Sequence, residues 1–246
     1  MPDLSFLTSL PFLVALGVAL AAGLMRGFAG FGSGMLMAPI FALLFGPLQT
    51  VAMIILMEIV VTAQLLPGVR HEVQWSFVGT MGAVAALFMP LGSWLLVSAD
   101  AQVMTRIIAV IVLAFVVVLW SGWRYRGPKR TPVTLGVGAV SGTMMAATSL
   151  GNPPAMLYML AGQDSAAISR ANVTAYFAVT LLALLAIMLA SGLVSLAALW
   201  TAALLLPPYM LAAWIGARLF RASSERLYRH TALVFLFAAG LTGLLA

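Results

Sequence analysis

The sequence has no cysteine, so it can form no disulfide, thiolate metal site or cysteine nucleophile, and thiols say nothing about its redox compartment. Charge is almost as scarce. Of 246 residues, 12 are Lys or Arg and 6 are Asp or Glu, 7% in all, where a soluble domain carries about 25%. Such a chain cannot cover its own surface in water. Histidine is limited to His71 and His230, neither with a second ligand at metal spacing, so no metal or other cofactor is expected. The N-terminal stretch carries Asp3 and no Lys or Arg ahead of its first apolar run, which does not fit a cleaved signal peptide; the first segment is expected to be retained.

Apolar length is what the chain has in quantity. Hydrophobic residues make up 63% of it, and a membrane crossing needs about 20 in succession to cover roughly 30 Å of hydrocarbon. Residues 6–25, 50–66, 75–97, 107–123, 171–190, 195–217 and 231–246 meet that length or approach it. Three further apolar stretches, 34–46, 133–149 and 153–161, are too short or too glycine-rich to cross as plain helices. The expected fold class is an all-α polytopic membrane protein with about 8 to 10 membrane segments, including two interrupted or re-entrant hairpins. Trp75, Trp94, Trp120, Trp123, Trp200 and Tyr125 fall mainly near segment ends, as an interfacial belt would.

The net charge of +6 follows from the same architecture. Lys and Arg of membrane proteins collect in cytoplasmic loops. The densest basic tract, Arg124, Arg126, Lys129 and Arg130, is therefore placed inside, and no soluble domain remains to bind nucleic acid. Counting outward puts ten of the twelve basic residues in the cytoplasm, Arg106 outside and Arg26 within the membrane region. On that count residues 6–46 leave and rejoin the outer face before three spans, and residues 133–161 leave and rejoin the inner face before three more. The halves then have opposite orientation. Residue echoes mark the same division. At a displacement of 115 positions Gly27 falls on Gly142 and Pro39 on Pro154, and at 124 the run Gly92 to Arg106 falls on Gly216 to His230. The expectation is an inverted-topology repeat, with residues 1–123 as first half, 124–132 as basic cytoplasmic linker and 133–246 as second half of one unit. Its expected home is a bacterial-type inner membrane.

Polar backbone at membrane depth is tolerated only where protein or a wet cavity surrounds it. Two stretches require that treatment. Arg26 to Gly34 holds Gly27, Gly30, Gly32 and Gly34, which discourage a stable helix; Thr148 to Pro154 holds Ser149, Gly151, Asn152 and the Pro153–Pro154 pair, which remove two N–H donors. Each precedes a short apolar helix whose N-terminal amides would point into the protein, a natural seat for an anion. Gly30, Gly32, Ser33, Gly34, Thr148, Ser149 and Asn152 are therefore candidate substrate ligands. Close helix packing is the competing account of the glycines, since Gly23 with Gly27, Gly30 with Gly34 and Gly138 with Gly142 fit the small-xxx-small pattern; local backbone capping competes for Ser33, Thr148 and Ser149. Among ionisable residues, Arg26 and Glu58 stand at apparent membrane depth, where a charge is by default functional. Arg26 offers a fixed positive charge to substrate or snorkels to an interface. Glu58 binds a coupling proton, pairs with Arg26 or packs as a protonated residue. Gln64 and Asn172 are secondary polar candidates, each with interhelical hydrogen bonding as the competing role.

With the Arg26-Gly-Phe-Ala-Gly-Phe-Gly-Ser-Gly34 motif, Pro39 after it and the second break at Gly151-Asn152-Pro153-Pro154, nearly the whole chain resembles the TauE/SafE family of sulfite and organosulfonate exporters and related permeases. It departs from the family at Ser141 to Met145, which lacks the usual second glycine cluster, so the halves are chemically unequal. The resemblance implies a secondary transporter of small sulfur-containing or other organic anions, often outward and coupled to protons or membrane potential. The implied partners are a small anionic solute and the lipid bilayer, with a homodimer left open. The rivals are a cation or other small-solute permease using Glu58, and a membrane protein without transport. Enzyme activity is not expected: Gly32-Ser33-Gly34 superficially resembles a serine nucleophile, but neither histidine lies in a span where it could act as base.

Overall fold

The computed structural model describes residues 8–29, 32–121, 125, 127, 130–150, 153–160, 164–219, 237 and 241. Among them every regular element is helical: α1 (Leu10–Ala29), α2 (Ser33–Phe45), α3 (Pro47–Leu65), α4 (Trp75–Ser98), α5 (Ala101–Trp120), α6 (Thr131–Thr148), α7 (Pro153–Leu160), α8 (Ala166–Ala190) and α9 (Leu196–Leu219). Two short 3-10 turns, Leu66–Gly68 and Arg70–Glu72, link α3 to α4. Six helices are long and apolar enough to cross a membrane: α1, α3, α4, α5, α8 and α9. The chain is an integral membrane protein. Its outer surface agrees, for Leu10, Leu87, Val117 and Leu196 are each more than 60% exposed, a pattern disfavoured in water and ordinary against lipid. Trp75, Trp120 and Trp200 are exposed near the ends of their helices.

The first interruption starts later than its glycines suggest, and the second follows Thr148 as expected. The first apolar helix runs on through Arg26 and Gly27 to Ala29, and α2 starts at Ser33. Gly27 is helical because its missing side chain makes room for a neighbour: a Cβ there would overlap the carbonyl of Ala213 on α9. Gly23 lies against Tyr209 and Ala212, and Gly216 returns the contact against Leu24. An equivalent seam joins α4 to α6, where Gly138 and Gly142 pack on Met81 and Ala85, and Gly92 on Thr143. Small residues thus let two helix pairs approach backbone to backbone, the main source of association where lipid offers no hydrophobic drive. α3 and α8 contact each other between these pairs, α3 also packing on α9 and α8 on α4. The expected segment 231–246, apart from residues 237 and 241, lies outside the described residues, as does part of the linker 124–132.

Adding a methyl at these seams tests the packing. Gly27→Ala and Gly142→Ala are each expected to cost about 1–3 kcal/mol through overpacking. Gly136→Ala, where a Cβ meets nothing within 4 Å, is expected to be neutral or to stabilise by about 0.5–1 kcal/mol. Thermal unfolding in detergent measures all three, and equal melting temperatures would contradict the assignment.

Candidate functional site

Arg26 lies in the last turn of α1 and is wholly buried, at 0% exposure; Glu58, in the middle of α3, is 3% exposed. They pair, with Arg26 Nε 3.2 Å from Glu58 Oε2. Neither charge is left to its partner alone. Arg26 Nη2 donates to Thr62 Oγ1 at 3.1 Å, one helical turn beyond Glu58, and the guanidinium stands 4.7 Å from the centroid of the Phe177 ring on α8, within cation–π range. On the other side, Glu58 Oε1 accepts the Tyr209 hydroxyl of α9 at 2.5 Å and the Ser33 hydroxyl of α2. One buried ion pair therefore gathers α1, α2, α3, α8 and α9.

Ser33 is also the first residue of α2. The residue before it, Gly32, has φ 92°, a left-handed backbone that suits glycine and turns the chain sharply into the helix. The first intrahelical bond is Leu36 N–H to Gly32 C=O, so the amides of Ser33, Gly34 and Met35 have no intrahelical acceptor. Their partial positive charge lies at the helix end that meets the Glu58 carboxylate through the Ser33 hydroxyl.

The second break arrives at the same place. α6 is followed directly by its cap, Ser149, the one non-glycine residue with positive φ (51°) among those described. A cavity of about 10 Å³ is lined by Gly32, Ser33 and Gly34 from the first break, Met145 and Ser149 from the second, and Glu58 and Phe177 from the long helices. That is room for about one water. Ser149 is 1% exposed and its Oγ has no hydrogen-bond partner, so an unused donor and acceptor faces the cavity.

The remaining candidates are dispersed. Thr148 lies next to this cavity, but its hydroxyl is spent on the Met144 carbonyl at 2.7 Å. Gln64 is exposed on α3. Asn172 is buried away from the cavity. It accepts from Gln74 N–H at 2.8 Å and donates to Gln74 Oε1 at 2.9 Å, tying α8 to the start of α4. Gly30 and Asn152 lie outside the described residues. The short α7 begins with Pro153 and Pro154, which have no N–H, so its first free amides belong to Ala155 and Met156. Three contributors escape a reading of the sequence: Thr62, Phe177 and Tyr209. Aromatics in an apolar chain read as filler or interfacial belt; the available signal for Tyr209 is its place after Pro207–Pro208, in the middle of an apolar run.

A family model described as Sulfite exporter TauE/SafE matches residues 15–242. No curated protein matches the chain, and no solved structure does.

Removing one member of a buried pair strands the other. Arg26→Ala is expected to destabilise by about 3–5 kcal/mol. Combining it with Glu58→Gln is expected to restore a large part of that loss, giving a coupling energy of opposite sign in a double-mutant cycle. Thermal unfolding of the four forms reads it; additive effects would mean that the two side chains are independent.

Proposed function

The chain belongs to the TauE/SafE family, and on that premise we propose that it is a secondary transporter exporting a small sulfur-containing anion, sulfite or an organosulfonate, across a bacterial-type inner membrane. The substrate sits where the two helix breaks meet and reaches either face by alternating access. The observation that carries this reading is that residues of both breaks line one cavity together with Glu58, whose other carboxylate oxygen faces the buried Arg26.

The ligands follow from what each group offers. Arg26 provides the fixed positive charge, Ser33 and Ser149 the hydroxyl donors, and the α2 start at Gly32 to Gly34 the free amides, the combination by which oxyanions are held without water. Gly30 and Asn152 join them from the break sequences, and Thr148 lines the approach. Glu58 carries the coupling function.

Pairing of helices supports an inverted repeat of 1–123 and 133–246. Exchanging α1, α3 and α4 for α6, α8 and α9 turns the α1–α9 contact into α6–α4 and the α3–α9 contact into α8–α4, and both members of each pair are present. Gly23 and Gly142, and Gly92 and Gly216, occupy matching places in the two seams: Gly23 meets the Tyr209 carbonyl as Gly142 meets that of Ala85, and Gly216 meets the Leu24 carbonyl as Gly92 meets that of Thr143. Re-entry of the second hairpin is supported by the contact between Thr134 Oγ1, in the first turn of α6, and Tyr158 OH, near the end of α7, at 2.7 Å: the chain has returned to the level at which it set out. With the linker 124–132 cytoplasmic, that hairpin opens inward.

Cation permeation through Glu58 is the nearest rival, and Arg26, which neutralises that carboxylate, argues against it. It would appear as Na⁺ or K⁺ flux that sulfite neither drives nor inhibits.

Sulfite efflux from proteoliposomes tests the site. Ser149→Gly removes the unpartnered hydroxyl and suits the left-handed backbone, so unchanged or higher stability is expected with efflux reduced roughly threefold to tenfold. Asn152→Ala is expected to act similarly, and Arg26→Lys to lower efflux at least about tenfold by losing the forked donor set. Full-rate efflux by all three would remove the site from these residues.

A further inference from the structure

The fixed positive charge and the Ser33 hydroxyl that an oxyanion would use in this cavity are already taken, and the group that takes them belongs to the protein. The Glu58 carboxylate holds the hydroxyls of Ser33 and Tyr209 through one oxygen, faces Arg26 with the other and lies at the start of α2. The space left, about 10 Å³, admits roughly one water and not an ion of four or more heavy atoms beside the carboxylate. Charge sets the same limit. Arg26 and Glu58 are neutral together, and a further anion would leave net negative charge where water is excluded, which a dry interior strongly disfavours.

Resting on the transport reading above, we infer that Glu58 is a built-in occupant of the anion site, displaced by solute only as it takes up one proton, so that anion and proton bind together. The proton adds to a carboxylate oxygen of Glu58. The resulting neutral acid releases Arg26, and the solute takes the guanidinium and the freed hydroxyls, so the site returns to zero net charge. The charged or titratable groups facing Glu58 are Arg26 from α1 and Tyr209 from α9; α2 presents Ser33, α6 Ser149 and α8 Phe177. Arg26 stays charged throughout. Tyr209 follows Pro207 and Pro208, which cannot donate to the carbonyls of Ala203 and Leu204, so α9 has a built-in bending point one residue from the hydroxyl that must let go. A monoanion carried with its proton moves no net charge.

Methanesulfonate, which stays a monoanion from about pH 7 to about pH 9, is a suitable probe. In lightly buffered detergent solution its binding to the wild-type protein is expected to withdraw about one proton per anion, read with a pH dye. Its Kd by calorimetry is expected to weaken about tenfold for each unit of rising pH. Glu58→Gln, neutral and of the same size, is expected to bind with one Kd across that range and to take up no proton. Wild-type binding without proton uptake would overturn the inference while leaving the transport site standing; so would a pH slope that survives in Glu58→Gln. Failure of the wild-type protein to bind either methanesulfonate or sulfite would instead bring down the transport reading, and this inference with it. If Glu58→Gln does not fold, the wild-type proton count decides alone.

Discussion

Two opposite charges held without water at the centre of an apolar bundle set the terms for everything around them. A buried pair such as Arg26 and Glu58 gains little or nothing over apolar side chains that would fill the same volume, because each ion gives up several kcal/mol of hydration. Stability is therefore a poor reason for its presence. What the pair does is impose demands: the guanidinium needs Thr62 and the face of Phe177, and the carboxylate needs Ser33 and Tyr209. Each demand fixes a different helix at one point, so a change in the charge state of Glu58 is felt by α1, α2, α8 and α9 together.

Small residues make that convergence possible. Gly27 follows Arg26 directly, and the backbone contact that it permits with Ala213 draws α9 close enough for Tyr209 to reach a carboxylate on α3. In the matching seam between α4 and α6, Gly142 holds the place of Gly23, and Met145 stands three residues after it where the first seam has Arg26; the polar residue is instead Ser141, directly before Gly142. Ser141 lies beside the Tyr176 hydroxyl, and neither oxygen makes a well-formed hydrogen bond. One seam carries an ion pair; the other carries two neutral hydroxyls. On the repeat reading, the scaffold is duplicated and the charge is not, so the inferred proton exchange has a single carboxylate, Glu58, to act on.

The sequence makes the scaffold legible, and part of the site. Apolar runs interrupted by glycine and proline locate the two breaks, since lipid forbids unsatisfied backbone and leaves few alternatives. Arg26 and Glu58 stand out because charge is so rare among the apolar runs. That they pair is not legible, for the pairing depends on how α1 and α3 are rotated, and one-dimensional spacing carries no rotation between helices. Phe177 and Tyr209 are harder still. Among thirteen Phe and five Tyr, nothing in composition separates a ring that faces a guanidinium from one that faces a lipid chain. The glycine-rich stretch shows the opposite error of scale. Its density suggests a broad unwound region, yet α1 remains helical through Gly27 to Ala29, because close packing rather than backbone freedom is what Gly27 contributes.

On the transport reading, the same logic accounts for a site so nearly full. A carrier that left Arg26 free in a dry cavity would bind anions strongly and release them slowly, whereas a carboxylate in the vacant position lowers the cost of the empty state and restores the donors when solute leaves. The hairpin behind the site is held in a comparable balance. Tyr158 of α7 meets Thr134 of α6 and packs beside Phe77 and Tyr125, while Gln74 joins Asn172 and Asp164. These are short-range polar and ring contacts, each worth about 1 kcal/mol, set between rigid helices that meet through glycine. Such contacts can exchange as a group without disturbing the α1–α9 and α4–α6 seams, and a discrete switch between two packed arrangements requires that division between rigid bodies and replaceable ties.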